Sequence, residues 1–164
     1  MPAGLPDRVD CVRLAEEGAT LEREYAFAAL ARLQDRLADR EGSVHASFAF
    51  EMLTDGHAGA RVAVRAVPSL VCQRCLRGVV YPLEGSSEIE FAGSEEVEAT
   101  DPQREVFVMK DGLVSLRELA EEELLLALPI VAAHDATHEC GGASVAAADR
   151  TRPFAGLKDL LKKT

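Results

Sequence analysis

The sequence predicts an α+β fold: a mostly antiparallel sheet with an N-terminal helix and a buried C-terminal helix. Apolar residues recur at helical spacing towards both ends of the chain, and a period of two fills the region between them. A CxxC motif of the zinc-knuckle kind interrupts that central region. Residues 1–142 are therefore expected to form one α+β domain.

The N-terminal helix is predicted over residues 20–40. Thr20 can serve as its N-cap and Gly42 as its stop, and apolar side chains recur between them at helical spacing. These apolar residues are Leu21, Tyr25, Ala28, Ala29, Leu33 and Leu37. The stripe predicts a helix that packs one face on the domain.

The central region is predicted to be sheet. Residues 43–52 and residues 61–67 both alternate in polarity, and a turn signal separates them. This pattern predicts an antiparallel hairpin. Two further strands are expected over residues 78–91 and 105–110.

The C-terminal helix is predicted to begin at Ser115, because Ser115 and Glu118 have the spacing of a capping box. Pro129 limits it. Its apolar residues are interpreted as core, and its three consecutive glutamates as the solvated face. The inward residues are Leu116, Leu119, Leu124, Ala127 and Leu128, and the glutamates are Glu121, Glu122 and Glu123.

The charge is unevenly distributed. The net charge of the chain is −10, which excludes a protein that binds phosphates over its whole surface. Residues 84–105 hold eight acids and one base, whereas residues 149–164 hold five bases and two acids. The acidic stretch is expected to be a solvated loop, with a docking surface for a basic partner as the alternative. No membrane-spanning run or secretory signal is visible, so a cytoplasmic location is expected.

The C-terminal end divides into a linker and a tail. Residues 143–152 are small and polar, which predicts a flexible linker, and residues 153–164 predict a short basic amphipathic helix. An isolated helix this short is marginal in water, so it must dock on the domain or fold on a partner. The predicted partner-binding residues are Phe154, Leu157, Lys158, Lys162 and Lys163.

The sharpest chemical motif is the CxxC at Cys72 and Cys75. It supplies two thiolates of a tetrahedral zinc site, and His134, His138 and Cys140 follow about 60 residues later. Two of these three would complete four-coordination. The spacing of the two histidines suits zinc, and His138 with Cys140 is the less regular option. A redox dithiol is the alternative, but such a motif opens a helix, and this one lies between two apparent strands.

Catalytic patterns are weak. The chain has no phosphate-binding glycine loop, no dinucleotide fingerprint and no nucleophile elbow. Asp135 stands where a zinc protease would place its glutamate. No catalytic residue, enzymatic activity, small-molecule substrate or membrane partner is therefore predicted, and the zinc is expected to be structural.

Four short stretches, in this order, resemble the YceD family of large ribosomal RNA subunit accumulation proteins. They are residues 70–75, residues 121–131, residues 134–138 and residues 153–157. Many members carry a second cysteine pair where this chain has His134 and His138. The resemblance thus implies a zinc held by Cys72, Cys75, His134 and His138. Glu139 separates His138 from Cys140, unlike in relatives with the histidine pair, so Cys140 is kept as an alternate ligand.

The resemblance also implies a function. It implies a ribosome-biogenesis factor that supports synthesis, processing or stability of 23S ribosomal RNA by binding rather than catalysis. The expected partners are the large-subunit pre-ribosomal particle, ribosomal RNA or a basic ribosomal protein. Two alternatives stay open, a metal-dependent RNA-processing enzyme and an acidic escort for a basic ribosomal protein.

Overall fold

A computed structural model describes residues 6–54, 56–93, 101–102, 104–135 and 140. These residues form a mixed α+β fold with mostly antiparallel strands, as the sequence predicts. No helix in this part of the chain is long and apolar enough to cross a bilayer. The predicted linker and tail lie outside the described residues and stay predictions.

The strands and helices follow one another along the chain in a simple order. They are β1 (Arg8–Val9), α1 (Cys11–Glu16), β2 (Thr20–Ala26), two 3₁₀ helices (Phe27–Ala29 and Ala31–Arg36), β3 (Ser43–Met52), β4 (Ala58–Ala66), β5 (Ser69–Val71), β6 (Gly78–Val80), β7 (Leu83–Ala92), β8 (Glu105–Val108), β9 (Val114–Ser115) and α2 (Leu116–Leu126).

The main sheet has five strands in the order β2-β3-β4-β7-β8. All neighbours are antiparallel except β7 and β8, which run parallel. The predicted hairpin is confirmed, because β3 and β4 pair from Val44↔Ala66 to Met52↔Ala58. One face of the sheet is apolar and buried, and the other carries exposed charged residues such as Arg61. This alternation is the strand period that the sequence shows.

Helix α2 covers the buried face, and its predicted start is confirmed. The Ser115 hydroxyl accepts the Glu118 N–H at 3.2 Å, which satisfies one of the free donors of the first turn. Leu116, Leu119 and Leu124 are fully buried, as expected of its core stripe. The C-terminal helix of the predicted fold is therefore present and buried.

The prediction that Glu121 and Glu123 lie on a solvated face is wrong. Only 7% of Glu121 and 5% of Glu123 is exposed. Each carboxylate is buried with a donor: Glu121 accepts the Arg32 N–H at 2.6 Å, and Glu123 accepts the Ser87 hydroxyl. Burial raises the pKa of Glu123, the nearby Glu105 raises it further, and the Ser87 hydrogen bond opposes the shift.

The N-terminal helix is not where the sequence predicts it. Residues 20–26 form β2, which pairs along its whole length with β3, and two 3₁₀ helices follow. Leu21 and Tyr25 are four residues apart, a spacing that puts them on one face of a strand as well as a helix. The pairing of residues 20–26 with β3 selects the strand over the helix. The α-helix of this end is α1, six residues long.

Candidate metal centre

The CxxC motif occupies the turn of a small antiparallel hairpin, β5–β6, as the sequence indicates. The Cys72 N–H donates to the Arg77 carbonyl and the Leu76 N–H donates to the Cys72 carbonyl, each at 2.9 Å. Leu76 takes a left-handed conformation with φ of 60°, which lets the chain turn back sharply. The tight turn holds the Cys72 and Cys75 thiols beside each other.

The segment that follows α2 returns to this turn and brings the second half of the site. The Gln73 N–H donates to the Ala132 carbonyl at 2.8 Å. The Arg74 guanidinium donates to the carbonyl of His134 and, at 3.2 Å, to that of Asp135. The two residues between the cysteines therefore anchor the chain that carries His134.

Cys72, Cys75, His134 and Cys140 converge, and their four donor atoms all lie within 4.8 Å of one another. His134 Nδ1 is 3.6 Å from both the Cys75 and the Cys140 sulfur, and the Cys72 and Cys140 sulfurs are 4.0 Å apart. A tetrahedral zinc site has sulfur–sulfur edges of about 3.8 Å and sulfur–nitrogen edges of about 3.6 Å. These three separations are close to the edges of such a tetrahedron.

The tautomer of His134 also suits a ligand. Its Nε2 lies 3.1 Å from the Gly78 carbonyl, which can only accept, so Nε2 carries the proton. Nδ1 then presents its lone pair to the thiols. Metal-binding histidines typically donate their other ring N–H to a carbonyl or carboxylate in this way. The β6 backbone thus orients the imidazole as a donor.

The thiols differ in their acidity. Cys72 is fully buried. Burial favours its neutral form, but hydrogen bonds from the Arg74, Cys75 and His134 backbone, together with the His134 imidazole beside it, outweigh it and lower the Cys72 pKa from 9.0 to about 5. Burial and the adjacent Cys75 and Cys72 raise the pKa of Cys140. One thiolate is thus stabilised by the fold, and a divalent cation would favour the others.

Cys72, Cys75 and His134, three of the predicted ligands, lie together, and Cys140, which the sequence offers as the alternate, lies with them. That these residues bind a metal stays a prediction. His138 lies outside the described residues, so its role stays a prediction. Spacing alone did not reveal the Arg74 contacts, because they depend on the path of a distant backbone segment.

A known protein family matches the region that carries these features. The sequence model of the family described as "Large ribosomal RNA subunit accumulation protein YceD" matches residues 60–161, more than half of the chain. The match spans all four converging donors. No solved structure matches the chain. The chain therefore belongs to the YceD family of large ribosomal RNA subunit accumulation proteins.

Proposed function

We propose that this protein supports accumulation of 23S ribosomal RNA by binding, as a ribosome-biogenesis factor whose C-terminal region is organised by a structural zinc ion. The family description supplies the link to the large ribosomal subunit. The convergence of four protein donors on one point is the observation that supports both the zinc ion and the non-catalytic role.

The donor set favours zinc held structurally. Thiolate and imidazole are ligands that zinc prefers, and four of them fill a tetrahedral site. A catalytic zinc needs an open position for water, and this set leaves none. The residues thus fit a structural ion better than the hydrolytic centre of an RNA-processing enzyme.

We propose Cys140 as the fourth ligand in place of His138. The Cys140 sulfur is 3.6 Å from His134 Nδ1 and 4.0 Å from the Cys72 sulfur, so it lies where a fourth ligand is needed. Zinc bound there would join the β5–β6 hairpin to the chain beyond α2. Its binding free energy would then stabilise this end of the fold.

The tail is the proposed contact with the partner. Cys140 immediately precedes residues 141–164, so zinc bound at Cys140 would tether the residue that comes before the predicted linker and tail. The proposed partner is a large-subunit pre-ribosomal particle in the cytoplasm. A basic tail on an acidic body is suited to an RNA-rich surface. The proposed contact residues are Phe154, Leu157, Lys158, Lys162 and Lys163.

An acidic escort of a basic ribosomal protein is the second candidate. A depression between β8 and α2 is lined by Glu105, Glu122 and Glu123, and it adjoins the acidic stretch of residues 84–105. A basic protein that co-purifies after nuclease treatment would favour this function. Loss of all ribosomal proteins on nuclease treatment would favour an RNA-mediated contact.

Gene deletion and complementation test the proposal. We expect deletion to lower the ratio of 23S to 16S ribosomal RNA, and a copy of the wild-type gene to restore it. Cys140→Ser should restore it poorly, since it removes a ligand, whereas His45→Ala, on an exposed strand position, should restore it fully. An unchanged ratio in the deletion strain at several temperatures contradicts the proposal.

A further inference from the structure

The depression between the edge strand β8 and helix α2, here called the β8–α2 groove, has a volume of about 150 Å³. Glu105, Glu122 and Glu123 line it, and no basic residue does so in the part of the chain that the structure describes. Apolar side chains line it as well, among them Val106 and Leu126. An apolar groove with acidic residues is complementary to a basic amphipathic helix, which lays its apolar face into such a surface.

Two apolar side chains of the groove are not used by the core. Leu126, the last residue of α2, is 57% exposed, whereas Leu116, Leu119 and Leu124 of the same helix are fully buried. Val106 of β8 is half-buried. Neither Val106 nor Leu126 belongs to the described core cluster or to the side chains packed against it. A segment that covered these two side chains would remove apolar surface from water, which is favourable.

Two of the three acids in the groove have no cation beside them. Glu122 forms an ion pair with Arg32, but Glu105 and Glu123 form none with any residue that the structure describes. The only described donor to the buried Glu123 carboxylate is the neutral Ser87 hydroxyl. Glu105 also raises the pKa of Glu123, as expected of two like charges near each other. A cation placed in this groove would therefore be attracted by two carboxylates.

A basic segment of the same chain is tethered within reach of the groove. Pro153 follows Cys140 by 13 residues, and a flexible chain of that length spans about 20 Å on average and about 45 Å at most. Ala132 follows Leu126 by six residues, so these two lie within about 22 Å of each other. The Ala132 carbonyl accepts the Gln73 N–H beside the metal centre. The average reach of the tether therefore matches the distance to the groove, the condition that maximises the effective concentration of a linked segment.

We propose that the β8–α2 groove holds the protein's own tail, residues 153–164, when the protein is free of its partner. Phe154, Leu157 and Leu161 recur at helical spacing and would cover the apolar surface. In the predicted helix Lys158 and Lys162 lie one turn apart beside that stripe. Three lysines and one aspartate give the tail side chains a net charge of +2, opposite in sign to the groove. The inference rests on the proposed function and deepens it, since docking would hold the tail, the proposed partner contact, on the body until a partner competes for its lysines.

A segment of a basic ribosomal protein is the competing occupant, and the tether favours the tail. Both would bring lysines to Glu105 and Glu123 and apolar side chains to Leu126. A segment on a short flexible linker has an effective concentration of about 1 mM or more, which a separate protein would have to match. The tail of a second copy of the chain is disfavoured for the same reason.

Tryptophan fluorescence of the full chain tests the docking directly. The chain contains no tryptophan, so Phe154→Trp places a single reporter in the tail. Quenching of this reporter by acrylamide measures its exposure, and a synthetic peptide of residues 153–164 with the same substitution gives the fully exposed value. We expect the reporter in the full chain to be quenched less than in the peptide, to the same extent at every protein concentration. Added salt should increase the quenching, because it screens the ion pairs.

The test variant adds Glu105→Lys and Leu126→Ser to the reporter chain, both at exposed positions of the groove. A matched control adds Glu22→Lys and Val80→Ser, which make similar changes at exposed positions that do not line the groove. We expect quenching in the test variant to reach the value of the peptide, and quenching in the control to stay at the value of the parent chain.

A charge swap guards against a general effect of the substitutions on folding. Glu105→Lys alone should weaken docking by about fivefold, the upper range for one exposed ion pair. Adding Lys158→Glu and Lys162→Glu to Glu105→Lys should restore part of the protection from acrylamide. The same two tail substitutions without Glu105→Lys should abolish it.

Three results overturn the inference: a reporter as exposed in the full chain as in the peptide, equal changes in the test and control variants, or protection that grows with protein concentration. The last result would assign the groove to the tail of a second copy. Gene deletion separates the two proposals. An unchanged 23S to 16S ratio refutes the proposed function wherever the tail lies in the free protein. A lowered ratio, together with a fully exposed reporter, refutes the docking alone.

Discussion

The sheet body of this molecule buries more apolar surface than the end that carries Cys72, Cys75, His134 and Cys140, here called the metal-centre end. The body buries large apolar side chains between the five-stranded sheet and α2, among them Phe48, Val62 and Leu124. The metal-centre end has strands of only three residues, and it leaves Leu76 75% exposed and Ile130 fully exposed. A hairpin this small is marginal alone. Hydrophobic burial therefore accounts for the body, whereas the proposed zinc would supply stability that the short hairpin lacks.

Removing a metal ligand should have the largest effect, confined to one end. Structural zinc contributes on the order of 10 kcal/mol to folding in small zinc domains. We expect Cys72→Ser to abolish stoichiometric zinc and to open β5, β6 and residues 130–135, while β3 and β4 stay protected. Hydrogen exchange of wild type and variant, with and without chelator, measures this. Uniform loss of protection would contradict the division into two regions.

Truncating a core side chain should have the opposite effect: it should destabilise the sheet body and leave zinc binding intact. Leu124 is fully buried on α2, and Leu→Ala at such a site costs about 2–5 kcal/mol. We expect Leu124→Ala to lower the Tm markedly while one zinc per chain remains bound in the folded protein. Thermal melts and elemental analysis of the same preparation test this. Loss of zinc at temperatures where the variant is folded would show that the two regions depend on each other.

Neutralising a buried acid should give a smaller and pH-dependent gain. Because the pKa of Glu123 is raised in the fold, the folded state holds a proton that the unfolded state has released just above pH 4.5. The stability contributed by protonated Glu123 is thus present at low pH and is lost as the pH rises from about 4.5 through the raised pKa of the folded state. We expect Glu123→Gln to raise the Tm at pH 7 and to differ least from wild type below about pH 4.5. A Tm difference independent of pH would contradict the assignment.

Breaking an ion pair on the exposed face should matter least. Arg61 and Glu88 lie 2.5 Å apart on neighbouring strands, but their side chains are 63% and 42% exposed. Pairs of this kind contribute about 0.2–1 kcal/mol. We expect Arg61→Gln to lower the free energy of unfolding within that range and to leave zinc content unchanged. Urea unfolding with and without added salt checks it, and the loss should shrink at high salt.

The predictable parts of the fold are those that local pattern determines. The β3–β4 hairpin and the cap at Ser115 follow from alternation and capping chemistry, which need no knowledge of distant residues. For the segment from Thr20 the sequence predicts the wrong element, because Leu21 and Tyr25 satisfy both the helical and the strand period. Only its pairing with β3 selects the strand.

In the candidate site, too, the sequence predicts what local spacing determines and not what depends on distant residues. The CxxC identifies Cys72 and Cys75, because both donors lie within one turn. The choice between His138 and Cys140 depends on the path of the chain after α2, which the Arg74 and Gln73 contacts to that segment help to determine. Such long-range contacts leave no signal in residue spacing. The burial of Glu123 could not be predicted from the sequence for the same reason, since Ser87, whose hydroxyl donates to the Glu123 carboxylate, is on β7.

The central claim is that one zinc is held by Cys72, Cys75, His134 and Cys140. Elemental analysis of four purified proteins tests it most directly. We expect one zinc per chain in wild type, near-stoichiometric zinc in His138→Ala, and substantial loss of zinc in both Cys140→Ser and His134→Ala. Melting temperatures with and without chelator, measured on the same samples, control for misfolding. Zinc-free wild type whose Tm is unaffected by chelator, or zinc that is lost in His138→Ala and kept in Cys140→Ser, would contradict the account.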